Sequence, residues 1–253
     1  MTRLERTAAA FDATQWTLLR ALNSGDEQDR RRAIELLAER YWPPVYAWLR
    51  RSGRGRNEAS EITQAFFADV IYHRRLFERA NEERGRLRTL VLTALQNYLR
   101  DLGRRRRARP EGAAVSMDQS DGARFDVDDP SCAPDDFFTR QWALTVLNEA
   151  VARCEAHFVR AGRGGHWALF EARVLAPVRG VASPIPYADL HDSLGFRTAQ
   201  DAAAAVDVVK KRLRALLHEV VAETVDGPAE EVARERRELI EALGACLPPG
   251  SAL

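Results

Sequence analysis

Residues Asn57 to Arg109 read NEASEITQAFFADVIYHRRLFERANEERGRLRTLVLTALQNYLRDLGRRRRAR. This stretch predicts two amphipathic helices joined by a charged turn. In the first, Ala59, Ile62, Phe66, Phe67 and Val70 recur at three- and four-residue steps and form one apolar face. Glu61, Gln64 and Ala68 fall on the opposite face, which presents an acid and an amide outward together. Asn57 is the predicted N-cap, with Glu58 favourable in the first turn. In the second helix Leu87, Val91, Ala94, Leu95, Tyr98 and Leu102 make the buried stripe. The outer face carries Thr89, Thr93, Gln96, Asn97, Arg100 and Arg104, and the basic run continues through Arg105, Arg106, Arg107 and Arg109. Amides and hydroxyls suit base edges, and guanidinium groups suit phosphates. A solvated face with a basic C-terminal end matched to the helix dipole is the plainer reading of any one such helix. The weight comes from two further stretches described below.

The chain of 253 residues is long enough for one large domain or two smaller ones. Aromatic residues at 8% and hydrophobic residues at 45% indicate a globular protein. No apolar run reaches the length of a membrane span, and no apolar segment follows the basic residues at the N-terminus. The expectation is therefore a cytoplasmic protein with no membrane partner. Cys132, Cys154 and Cys246 are an odd and scattered set, which suits reduced thiols better than a disulfide framework.

A net charge of +1 conceals strong segregation. Arg50 to Arg109 holds sixteen Arg against seven acidic residues, whereas Glu111 to Asp136 holds eight acidic residues against Arg124 alone. Adjacent blocks of opposite sign suggest a polyanion-binding surface followed by an acidic tether. Gly112, Gly122, Pro130 and Pro134 among scattered aspartates make residues 111–136 the clearest linker, predicted to be extended. It divides the chain into domains at 1–110 and 137–253.

Along the first domain, Phe11 to Asn23 predicts a short helix with Thr14 as cap. Asp29 to Arg51 predicts a longer one that Pro43 and Pro44 should break or kink. Beyond the linker, helical periodicity returns over Phe137 to Phe158 and Trp167 to Val174. The intervening Ala161-Gly162-Arg163-Gly164-Gly165 lacks the Lys-Ser/Thr ending of a phosphate-cradling loop and reads as a turn. Tyr187 to Leu194 predicts a short helix, Gly195 a turn, and Thr198 with Asp201 a capping box for a long helix to about Val225. Ala202, Val206, Val209, Leu213 and Leu217 line its core side. Short helix, glycine turn and long helix together form a helix-turn-helix candidate. Pro228 starts a last helix through about Leu243, ended by Pro248-Pro249-Gly250. Period-two alternation is absent, so the fold class expected is all-α.

Taken together these pieces resemble the bacterial RNA polymerase sigma factors of the extracytoplasmic-function type, in the sigma-70 superfamily. Phe11, Thr14 and Trp16 match an N-terminal F-x-x-T-x-W pattern. The resemblance continues at YWPPVYAWLR (Tyr41 to Arg50), ITQAFF (Ile62 to Phe67) and RGRLRTLVLTALQNYLRD (Arg84 to Asp101). It extends through TRQWALTVLNEAV (Thr139 to Val151), the helix-turn-helix and EVVAETV (Glu219 to Val225).

The resemblance implies two helical domains, a sigma region 2-like one and a region 4-like helix-turn-helix, joined by the acidic linker. The first would dock on polymerase and engage the minus-ten promoter element, and the second would read the minus-thirty-five element. It places Glu61, Gln64 and Ala68 at the polymerase contact, and Thr89, Thr93, Gln96, Asn97, Arg100, Arg104 and Arg105 at promoter DNA. Arg197, Thr198 and Gln200 open the recognition helix, with Lys210, Lys211 and Arg214 as phosphate contacts. The implied partners are core RNA polymerase and promoter DNA, with an anti-sigma protein as a further candidate.

The chain departs from the family pattern in several places, among them the segment Phe196 to Ala205, which is longer than the common pattern and rich in Ala. Glu61 replaces an Asp, Leu87 replaces the aromatic of the G-R-F-R motif, and His191 stands where the helix-turn-helix has Ala. Leu87 and His191 sustain the reading of a degenerate sigma-like protein that binds polymerase without initiating, and a helix-turn-helix regulator independent of polymerase is a second alternative. Cys154 and His157 are spaced as a metal pair, but no second pair accompanies them, so no metal is expected. No nucleophile motif or committed carboxylate pair appears. The expectation is a non-enzymatic protein without a cofactor.

Overall fold

The computed structural model describes residues 26–69, 86–108, 133–225 and 227–244. Expectations for Phe11 to Asn23, Val70, Arg109, residues 111–132, Cys132, Cys246 and Pro248 to Gly250 lie outside the described residues. Among the described residues the structure is mostly helical with no strand, apart from a single antiparallel bridge between Arg86 and Val225. The all-α class is therefore observed.

Helix α1 spans Glu27–Arg51. Asp26 caps it, accepting from the backbone N–H of Gln28 at 2.7 Å and of Asp29 at 3.3 Å. Pro43 and Pro44 lie inside this helix and do not end it, so of the break or kink expected from their missing N–H groups the break does not occur. Burial supplies the reason. Leu37 and Tyr41 before the prolines, and Val45, Trp48 and Leu49 after them, are all buried on one continuous face. Burying each such side chain contributes about 1.5–3 kcal/mol, enough together to offset roughly 3 kcal/mol per interior proline. The helix closes in a Schellman motif. Arg54 N–H donates to the Leu49 carbonyl at 3.2 Å and Gly53 N–H to the Arg50 carbonyl at 3.1 Å. Gly53, at φ +86°, occupies the left-handed position that this motif needs.

Helix α2 spans Arg56–Phe66, beginning one residue before the predicted cap Asn57, with Gly55 at the N-cap. Arg54 and Glu58 pair across its first turn at 2.5 Å. Helix α3 spans Leu87–Ala108, and α4 spans Pro134–Arg160. The last three residues of the predicted linker thus form the first turn of α4. Proline is favoured there because its missing N–H would be unpaired anyway, and Asp135 and Asp136 suit the positive helix end.

Helix α5 (Gly164–Phe170) runs into a π-turn at Glu171–Leu175 and a final helical turn at Ala176–Val178. Helix α6 is only Tyr187–Leu190, shorter than the predicted Tyr187 to Leu194. Residues 191–195 instead form the turn. Helix α7 spans Ala199–Ala222 and α8 spans Ala229–Gly244.

Two compact units result. One comprises residues 1–145 and 221–253, the other residues 146–220. The start of α4 and the whole of α8 belong to the first unit. In that unit Tyr41 stacks on Trp142 with ring centroids 4.5 Å apart and planes 7° from parallel. Such a pair contributes about 0.5–1.5 kcal/mol beyond its area burial. Phe66 meets Tyr98 edge-on at 5.8 Å, joining α2 to α3.

The second unit has its own core of Val151, Cys154, Phe158, Trp167, Leu169, Phe170, Ala202, Ala205, Val206, Val209 and Leu216. Burial pushes the Cys154 thiol up to about 11, which makes it an inert packing group. Gly165 packs so tightly that a Cβ on it would lie 2.8 Å from the Leu194 carbonyl oxygen. The short helix, the turn and α7 as far as Val220 of the helix-turn-helix candidate lie in this unit. Phe196 N–H donates to the His191 carbonyl at 2.8 Å, with Gly195 at φ +80°. Asp201 N–H donates to Thr198 Oγ1 at 3.1 Å, one half of the predicted capping box, while the Asp201 carboxylate accepts from the Thr198 hydroxyl at 2.9 Å.

Candidate nucleic-acid interface

Helix α3 separates its two faces cleanly. Leu87, Val91, Ala94, Leu95 and Tyr98 are buried. Thr89, Thr93, Asn97, Arg100, Arg104 and Arg105 are exposed. At 1.5 Å per residue this exposed row extends about 24 Å along the axis. Part of it is internally paired: Arg100 Nη1 donates to Asn97 Oδ1 at 2.8 Å, and Arg104 Nη2 meets Asp101 Oδ1 at 2.9 Å. Both pairs are solvent-exposed i,i+3 contacts, worth a few tenths of a kcal/mol, so a phosphate or base edge could replace them at little cost.

Gln96 is placed differently from the other polar residues of the row. It is half-buried, and its Nε2 donates to Asp135 Oδ2 at 3.2 Å and Oδ1 at 3.3 Å. The Trp48 indole N–H donates to the same Asp135 carboxylate at 2.8 Å. The Gln96 amide thus fastens the first turn of α4 instead of standing open beside Asn97. A local helical wheel could not have revealed this, because Asp135 is distant in sequence and lies in what reads as linker.

On α2 and its continuation, Glu61, Gln64 and Ala68 are exposed, opposite buried Ala59, Ile62 and Phe66. The outward geometry expected for this trio is therefore present.

In the second unit Arg197, Thr198 and Gln200 are exposed at the start of α7, although the Thr198 hydroxyl is engaged in the cap. Lys211 and Arg214 are exposed further along, while Lys210 is half-buried and 3.7 Å from Asp207. Gln200, Ala204, Asp207, Val208, Lys211, Arg214 and Ala215 share the exposed side. Two alanines and a valine give this side few groups that can address base edges. His191, half-buried, lies with Nδ1 3.3 Å from the Phe196 carbonyl oxygen, a packing role.

Sequence reasoning missed the densest charge cluster in the described residues. At the start of α3, Arg88 Nε meets Glu235 Oε1 at 2.7 Å, and Arg88 Nη2 meets Glu238 Oε2 at 2.6 Å. Arg86 Nε meets Glu235 Oε2 at 3.2 Å, while Arg86 also bonds Glu238 and lies 3.9 Å from Glu231. Glu235 is 1% exposed. The hydrogen bond from Arg86 holds the Glu238 carboxyl below its usual range, against the opposing effect of burial. Burial works against the Arg86 charge, but the hydrogen bond to Glu238 and the nearby carboxylates outweigh it and shift Arg86 upward. One sequence signal could have revealed this arrangement. Glu231, Glu235 and Glu238 recur at four- and three-residue steps, in phase with Val232 and Leu239, so acids share the inner face of α8.

Among the described residues no cluster of His, Cys, Asp and Glu is arranged to hold a metal ion, and no helix is long and apolar enough to cross a membrane. Comparison of the chain with family models, with curated proteins and with solved structures gives no match.

Proposed function

We propose that this protein is a cytoplasmic, non-catalytic specificity subunit of RNA polymerase, of the sigma-factor type. The observation that carries the proposal is the α3 row. Hydroxyl, amide and guanidinium groups stand exposed from Thr89 to Arg105 on a helix whose opposite stripe is buried from Leu87 to Tyr98. Phosphate contacts from Arg100, Arg104 and Arg105 would position the helix, and Thr89, Thr93 and Asn97 would address bases. Glu61, Gln64 and Ala68, exposed on α2 and its continuation in the same unit, supply the polymerase-docking face in this reading. In this reading the segment before α4 joins a region 2-like to a region 4-like part.

Engagement of Gln96 by Asp135, together with Ala204, Val208 and Ala215 on the exposed side of α7, favours one other reading. In that reading the protein binds polymerase but does not select promoters. Reconstitution with purified cognate core polymerase separates the two. Specific initiation on genomic promoter fragments supports the sigma reading. Stable core binding without initiation supports the second, and absence of core binding removes both.

A further inference from the structure

We propose that α8 is a displaceable carboxylate cover over a two-arginine phosphate site formed by Arg86 and Arg88 at the start of α3. The inference rests on the nucleic-acid reading of α3. Arginine guanidinium groups present the same planar fork to a carboxylate and to a phosphate. Glu235 and Glu238 fill those forks much as backbone phosphate oxygens would, with Arg88 contacting one carboxylate at 2.7 Å and the other at 2.6 Å.

The attachment of α8 is suited to exchange. Of its sixteen residues, Val232 and Leu239 are the only buried apolar side chains, and Ile240 is 54% exposed. Charge pairing to Arg86 and Arg88 therefore carries much of its hold, together with the bridge at Val225 and the bond from Leu87 N–H to the Thr224 carbonyl. A polyanion offers the same two arginines a replacement partner, whereas a neutral ligand does not. The cover and the DNA would then compete for one pair of cations, and by linkage each weakens the other.

The test measures binding of the full chain to a labelled mixed-sequence DNA duplex at low salt. Glu231→Gln/Glu238→Gln weakens the cover while leaving Glu235 in place, and should tighten DNA binding about fivefold or more. Glu230→Gln/Glu241→Gln removes the same charge from the same helix at exposed positions that do not meet Arg86 or Arg88. It should give a clearly smaller gain. Equal gains from the two pairs would mean a general charge effect and overturn the proposal, as would no gain from the first pair. Arg100→Ala/Arg104→Ala tests the underlying reading separately. If it weakens binding while the Glu231/Glu238 pair has no effect, the interface stands and the cover falls. If it has no effect, the α3 reading itself falls. Hydrogen exchange on the unmodified chain provides a measurement independent of variant folding. Amides of residues 229–244 should exchange faster when DNA is added, and unchanged exchange at saturating DNA would overturn the cover.

Discussion

Replacing Glu235 with Gln should expose how much of the first unit depends on one buried carboxylate. Glu235 accepts from Arg88 Nε at 2.7 Å, from Arg88 Nη2 at 3.1 Å and from Arg86 Nε at 3.2 Å. The amide keeps the shape of the side chain but turns an NH2 group toward guanidinium donors. Removing one partner from a buried ion pair costs about 3–5 kcal/mol. The lower end applies here, because Arg86 and Arg88 each keep Glu238, so the expected loss is about 3 kcal/mol. For a unit of this size that corresponds to a melting-temperature drop of roughly 6–12 °C. Thermal melts followed by far-ultraviolet circular dichroism provide the assay. Glu230→Gln, at an exposed position on the same helix, should stay within about 0.5 kcal/mol of the parent. A double-mutant cycle with Arg88→Met should then return a large coupling between positions 88 and 235. A Glu235→Gln loss below about 1 kcal/mol, or one equal to the Glu230 control, would refute the argument that this cluster holds α8 in place.

Four further outcomes are expected. Glu61→Arg should leave the melting temperature unchanged, since the side chain points away from the Ile62 and Phe66 core, and should abolish co-purification with core polymerase if the docking assignment is right. Asp135→Ala removes the acceptor for both the Trp48 indole and the Gln96 amide, which should cost about 1–3 kcal/mol in urea denaturation. Gly165→Ala gains helix propensity but drives a Cβ toward the Leu194 carbonyl oxygen at 2.8 Å, so a net loss of about 1–2 kcal/mol should appear in the same assay.

Acid should act in two stages. Burial and the neighbouring Arg163 charge hold His166 below its ordinary 6.5, so its contribution is complete above 6.5 and is lost as pH falls below it. The Glu238 contribution is complete above its ordinary 4.5 and is lost as pH falls through its lowered folded value. His166→Phe, which keeps an aromatic ring against Phe158 and Phe196, should flatten only the first stage of melting temperature against pH.

The sequence alone determined the helical class, most of the buried and exposed faces of α2 and α3, and the Thr198–Asp201 contact. Each depends on residues three or four positions apart, and helical geometry makes such neighbours meet wherever the helix later packs. The same locality explains why residues 186–201 were legible as short helix, turn and capped long helix. Tertiary structure decided the rest. Pro43 and Pro44 stay within α1 because buried residues on both sides hold one continuous face, a gain that no local propensity contains. Gln96 is drawn away from the exposed row by Asp135, thirty-nine positions along the chain. Glu235 meets Arg88 across 147 positions. A charge at the edge of a helical wheel reads as solvated until the fold brings its counter-charge, and a buried carboxylate is tolerated only because that partner arrives.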